Sequence, residues 1–179
     1  MTIPDLLFPD AGEVKRYGFT GTESADDRDR DLLEAIVSFL PQHARAIVGC
    51  CIGVDALAAR ATINHGMMVH AVVPAPKKKV DPEWQRYCDT FEECPVHPGW
   101  TDSEEYMFRN QRLVDLSQVM IAVPKESYMV QRSGTWATVR RAKHAGLPVF
   151  IVPLLTDTSK VQSVLLEQTR GQSPAVLEL

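Results

Sequence analysis

No apolar run in the sequence reaches the roughly 18 residues that a membrane-spanning helix needs, so no membrane partner is expected. The opening Met1-Thr2-Ile3-Pro4-Asp5 carries no basic cluster, so no secretion signal is expected and the protein is placed in the cytoplasm. Basic charge is not in excess: 19 Lys and Arg stand against 23 Asp and Glu, and the net charge of −4 gives no global attraction to nucleic acid. A nucleic-acid partner is therefore not expected. Cysteine is sparse. Cys50, Cys51, Cys88 and Cys94 include an adjacent pair and suit a reducing compartment better than a disulfide framework. The spacing of Cys88, Cys94 and His97 fits no common zinc pattern and lacks an evident fourth ligand, so no metal is expected. The chain has no G-x-x-x-x-G-K-[ST], and no G-x-G-x-x-G after its first strand, which argues against a P-loop NTPase and an ordinary dinucleotide oxidoreductase. No internal repeat, low-complexity tract or change of composition divides it, and one domain over residues 1–179 is expected.

What the sequence does contain is an alternation of short apolar runs with helical patterns. Tyr17 to Thr20, Ala46 to Val48, Met68 to Val73, Val119 to Val123 and Val149 to Val152 read as strands. Between them, Leu32, Leu33, Ile36, Phe39 and Leu40 fall on one helical face. Val54, Leu57, Ala58 and Ala61 mark a second helix with a small apolar face, Glu104 to Ser117 a third, and Trp136, Val139 and Ala142 a fourth. Asp81 to Phe91 is expected to form a short helix, Pro95 to Pro98 a short strand, and Lys160 to Gln168 a last helix. The alternation predicts an α/β fold: a Rossmann-like, doubly wound, mainly parallel sheet with helices on both faces, joined by right-handed crossovers.

The stretch Ser133-Gly134-Thr135 sits between a buried strand and a helix. The first N–H groups of that helix have no partner within it and lie at the positive end of its dipole. Gly134 would let an anion approach the backbone, and the hydroxyls of Ser133 and Thr135 add donors, which reads as a phosphate cradle. A plain Ser cap on a tight turn is the alternative. Gly21-Thr22-Glu23 and the run Gly49 to Gly53 also follow strands and precede helices. In a parallel sheet such turns share one rim, where ligands bind. Arg109 can meet a phosphate with two hydrogen bonds; the alternative for Arg109 and Arg112 is salt bridging with Glu104 or Glu105. Lys77-Lys78-Lys79 reads either as a solvated surface loop or as a local basic patch.

Gly18-Phe19-Thr20-Gly21-Thr22, the loop Gly49 to Asp55, Arg109-Asn110-Gln111-Arg112 and Ser133-Gly134-Thr135 together resemble the SLOG superfamily, over roughly residues 15–152. That superfamily joins the DNA-processing protein DprA, the LOG proteins and nucleotide-binding sensor domains. The resemblance implies a nucleotide-like ligand held by Gly21, Thr22, Glu23, Gly49, Gly53, Asp55, Arg109, Asn110, Ser133, Gly134 and Thr135, no further cofactor, and a homodimer or higher homo-oligomer. Asp55 would bond a sugar hydroxyl or brace its loop. LOG proteins hydrolyse nucleoside monophosphates with an Arg, matched by Arg109, and a Glu after Gly-Thr. Ala137 and Thr138 stand where that Glu would be. A binding or sensor role is therefore expected first. The alternatives are a divergent N-glycosidase using Glu23 or Asp55, and DprA-like binding of single-stranded nucleic acid.

Overall fold

The computed structural model describes residues 15–75 and 77–171. Among them, β1 (Arg16–Gly21), β2 (Arg45–Val48), β3 (Met68–Val73), β4 (Thr90–Glu93), β5 (Val119–Val123) and β6 (Val149–Ile151) form one sheet in the order β4-β3-β2-β1-β5-β6. Every neighbouring pair is parallel. The helices are α1 (Arg30–Ser38), α2 (Val54–Asn64), α3 (Asp102–Leu116), α4 (Gly134–His144) and α5 (Val161–Gly171).

Strand β5 shows why the apolar runs are continuous rather than alternating. Successive side chains point to opposite faces, and in this sheet both faces are covered. Val119, Ile121 and Val123 enter a core with Leu33 and Ile36 of α1, Leu57 and Ala58 of α2, and Val161 and Leu165 of α5. Met120 and Ala122 enter a second core with Leu113 of α3 and Trp136 and Val139 of α4.

From β1 the chain steps outward through β2 and β3 to β4, then returns past β1 to β5 and β6. That reversal puts α1 and α2 on one face and α3 and α4 on the other, as right-handed crossovers require. It also creates a switch point between β1 and β5, whose carboxyl ends coincide: Gly21 is in register with Val123, and Thr22 N donates to Val123 O at 3.2 Å.

Two expectations between residues 81 and 98 are corrected. Asp81 to Phe91 holds only a single 3-10 turn, Trp84–Arg86, and the strand of this region is Thr90–Glu93 rather than Pro95 to Pro98. Glu92 and Glu93 give β4 no apolar signature. It is held from outside its own sequence, by the ladder to β3, by Thr90 Oγ1 against His70 Nδ1 at 2.8 Å, and by Arg112, which donates to Glu92 at 2.7 Å. Cys94 N makes the last bond to Val73 O, and Pro95, with no N–H to give, follows it.

Candidate functional site

The ends of β1 and β5 open into a cleft of about 560 Å³. Its walls come from four places: Thr20 to Glu23 after β1, Ser133 to Thr135 before α4, the Tyr106–Asn110 face of α3, and Lys78-Lys79 from the segment after β3. Cys51 and Asp55 form part of its floor. Of the residues singled out in the sequence, Gly21, Thr22, Glu23, Asp55, Arg109, Asn110, Ser133, Gly134 and Thr135 line this cleft together. Gly49 and Gly53 do not line it; they shape it from beneath.

Arg109 is the organising side chain. It projects from α3 across the end of β2, with a relative exposure of 6%. Its Nη1 donates to Asp55 Oδ2 at 3.1 Å and its Nη2 to Cys51 Sγ at 2.8 Å. Asp55 Oδ2 also accepts from Cys51 N at 3.4 Å. This path is open only because residue 49 is glycine: a Cβ there would lie 1.3 Å from Arg109 Nη1. Gly53, at φ +84, is pressed against the first loop, where a Cβ would meet Thr22 O at 2.4 Å. No other residue adopts that conformation cheaply. Burial pushes the Asp55 carboxyl up, and the Arg109 charge works against it. Burial alone would lower the Arg109 pKa, but Cys51 and Asp55 hold it above the ordinary value, so the guanidinium stays charged. Burial also pushes the Cys51 thiol up to about 12.

The arginine pair divides. Arg109 turns inward, whereas Arg112 pairs with Glu92 of β4. Neither pairs with Glu104 or Glu105. Glu104 closes a capping box with Thr101, and Glu105 accepts the His97 N–H at 2.8 Å.

The lysine run is not a free surface loop. Lys77 pairs with Glu93, Lys78 with Asp102 at 2.5 Å, and Lys79 with Glu23 at 2.9 Å. The segment is held against the loop before α2, Ile52 N donating to Lys79 O and Asp81 N to Cys50 O, each at 2.8 Å. That places Lys78 and Lys79 at the cleft.

At the start of α4, Ser133 caps the helix by accepting from Trp136 N at 3.4 Å. The cap leaves the next N–H groups untouched. Those of Gly134 and Thr135 have no intrahelical acceptor, and none is found among the described residues. A Cβ on Gly134 would meet nothing within 4 Å. Thr138 turns its hydroxyl back onto Gly134 O at 3.0 Å, so neither it nor Ala137 brings an acid into the cleft. The carboxylates there are Glu23, Asp55 and Asp102, each paired with a cation.

Sequence reasoning missed Tyr106, Met107 and Asp102, and it named Cys51 and the lysine run without placing them at the cleft. Tyr106 was within reach, because it lies three residues before Arg109 on one helix face, and Arg109 stands 5.9 Å from its ring centre. Among the described residues no three His, Cys, Asp or Glu side chains are grouped to hold a metal.

A parallel α/β sheet with a polar cleft at its switch point defines the class: a Rossmann-like domain with a cleft at the carboxyl rim. The family model for DNA recombination-mediator protein A matches residues 9–171, and the chain belongs to that family. The SLOG resemblance therefore holds. No curated protein matches the chain. Among solved structures it is similar to DNA processing protein A (DprA) from Streptococcus pneumoniae, at 21% identity and a TM-score of 0.62, covering 92% of this chain and 58% of that one. It is also similar to DNA processing protein A from Helicobacter pylori, described for its single-stranded DNA binding mode, at 18% identity and a TM-score of 0.61, covering 88% of this chain and 73% of that one. The molybdenum cofactor binding protein of Rippkaea orientalis matches at 17% identity and a TM-score of 0.59, covering 90% of this chain and 88% of that one. These likenesses establish the fold. The chain spans only 58% of the pneumococcal protein's length. No described helix is long and apolar enough to cross a membrane.

Proposed function

We propose that this protein binds a nucleotide, or a nucleotide-derived phosphorylated small molecule, in the switch-point cleft, as a ligand-binding or sensor domain. The observation that carries this reading is the pair of N–H groups at Gly134 and Thr135, which have no acceptor among the described residues and belong to residues that line the cleft. A phosphate there accepts from both N–H groups and meets the positive end of α4. Lys78 and Lys79 give it countercharge. Their pairs with Asp102 and Glu23 are about half exposed, and such pairs are worth only about 0–1 kcal/mol, so the ammonium groups can turn to a phosphate at small cost. Arg109 acts from below, holding Asp55 and the Cys51 loop in place.

The test is thermal unfolding against a panel of nucleosides and their phosphates. A ligand at a hundredfold excess over its Kd stabilises the folded state by about 2.7 kcal/mol. At least one phosphorylated member should raise the melting temperature by several degrees, and the matching nucleoside should do much less. Gly134→Val should abolish the shift while leaving the unliganded melting temperature nearly unchanged, since a side chain there meets open space. If no phosphorylated compound shifts the wild type, the reading is wrong.

A second reading, single-stranded DNA binding, is favoured by family membership and by a run of cations after β5. Lys125, Arg132, Arg140, Arg141 and Lys143 have no carboxylate partner among the described residues. Titration with a fluorescent oligothymidylate separates the two. Binding that weakens steeply with salt and survives Gly134→Val supports DNA; binding of mononucleotides alone supports the cleft.

A further inference from the structure

Cys50 and Cys51 are adjacent in sequence and serve opposite faces of the sheet. Cys50 takes a positive φ of 54, unusual for a residue with a side chain. Its fully buried side chain enters the core beneath α1 and α2, where its Sγ lies 3.6 Å from Cys88 Sγ. Cys51 faces the cleft and accepts from Arg109. Cys88 is only partly buried, and the residue after it is clamped to β3: Asp89 N donates to Val69 O at 3.0 Å, and Val69 N donates to the Asp89 carboxylate at 2.7 Å.

We infer that Cys50 and Cys88 form a reversible disulfide that acts on the cleft, an extension of the ligand-binding reading above. The co-reactant is a small-molecule disulfide such as oxidised glutathione. The Cys88 thiolate attacks one of its sulfurs, giving a mixed disulfide and releasing one thiolate. The buried Cys50 thiol then attacks Cys88 Sγ, losing its proton as it does so, and expels the second thiolate. The two protein protons leave with the two released thiols, and the protein's two-electron oxidation is balanced by reduction of the small disulfide. Bond formation draws the sulfurs from 3.6 Å to about 2.05 Å. Cys88 is anchored through Asp89 and the Cys50 loop through the bond from Asp81 N to Cys50 O, so closing the link pulls on both, and the pull on the Cys50 loop is toward the α1–α2 face and away from Arg109, which arrives from the opposite face. Gly49, on which Arg109 lies, and Cys51, which accepts from it, move with the loop. Oxidation therefore loosens the cleft floor and weakens ligand binding.

The experiment treats the full chain with oxidised glutathione, alkylates the remaining thiols and maps the peptides by mass spectrometry. Binding of adenosine and guanosine 5′-monophosphate is measured in the reduced and oxidised forms. The expected result is one link joining Cys50 to Cys88, free Cys51 and Cys94, and affinity lowered by roughly fivefold or more. Cys88→Ser, at a partly exposed position, should give no link and no loss of affinity on oxidation. Glutathione left on Cys88 without the link, a link through Cys51, or a link with affinity unchanged would each overturn the proposal. Should the reduced protein bind no nucleotide at all, the cleft reading falls, while the disulfide itself still stands or falls on the peptide map.

Discussion

Two kinds of ion pair meet in the same cleft and differ in their surroundings. The Arg109–Asp55 pair is 7% exposed on both side chains, whereas Lys79–Glu23 is 52% and 47% exposed at a similar separation. Coulomb attraction between the pairs is comparable in distance but not in medium. Water screens the rim pair and offers both partners an alternative; the buried pair has none. The floor of the cleft is thus fixed by a pair that cannot be given up, and the rim is closed by pairs that exchange readily.

The largest effect expected from this contrast is on Arg109→Ala. Removing one partner of a buried pair leaves Asp55 uncompensated, and a loss of about 3–5 kcal/mol is expected in urea unfolding. In this structure the Arg109 guanidinium is engaged by Asp55 and Cys51. Arg109→Ala combined with Asp55→Asn should recover much of the loss. A double variant as unstable as the sum of the singles would break the comparison, because it would show that the two charges do not act as a pair.

A smaller effect is expected at Ser133→Ala. The hydroxyl caps α4, and its loss should cost roughly 1 kcal/mol of stability. The phosphate-dependent melting shift should persist, because the N–H groups of Gly134 and Thr135 are backbone. Disappearance of the shift would move the recognition from the backbone to the hydroxyl.

At the rim, Lys79→Ala should change unfolding free energy by no more than about 1 kcal/mol. It should nonetheless weaken nucleotide binding and flatten its salt dependence. A stability loss as large as that of Arg109→Ala would erase the distinction between rim and floor.

The smallest expected signal is catalytic. With Ala137 and Thr138 offering no acid, and Glu23 and Asp55 already paired, release of free base from nucleoside monophosphates should stay far below the roughly 1 per second of ordinary enzymes. Chromatography of the reaction products checks this, and loss of any activity found in Glu23→Gln would identify the acid.

Much of the architecture was legible in the chain. Five of the six strands read as short continuous apolar runs and the main helices carry the 3.6-residue period, which are local properties. β4 was not legible, because Thr90-Phe91-Glu92-Glu93 owes its conformation to β3, His70 and Arg112. The cleft shows the same division. Ser133, Gly134 and Gly21 were readable as strand-to-helix turns. The bracing role of Gly49 was not, since what forbids a side chain there is the guanidinium of Arg109, arriving from another element.

The sequence by itself determined that the sheet is parallel and that its glycine-bearing turns share one rim. Alternating strands and helices with right-handed crossovers leave no other place for them. Only the tertiary structure decided which charges meet there. Arg109 and Asp55 are 54 residues apart, and Lys79 and Glu23 are 56 apart. Nothing in the local pattern around either member of a pair names the other. The pairing is chosen by helix placement, by burial, and by the absence of a single Cβ at Gly49.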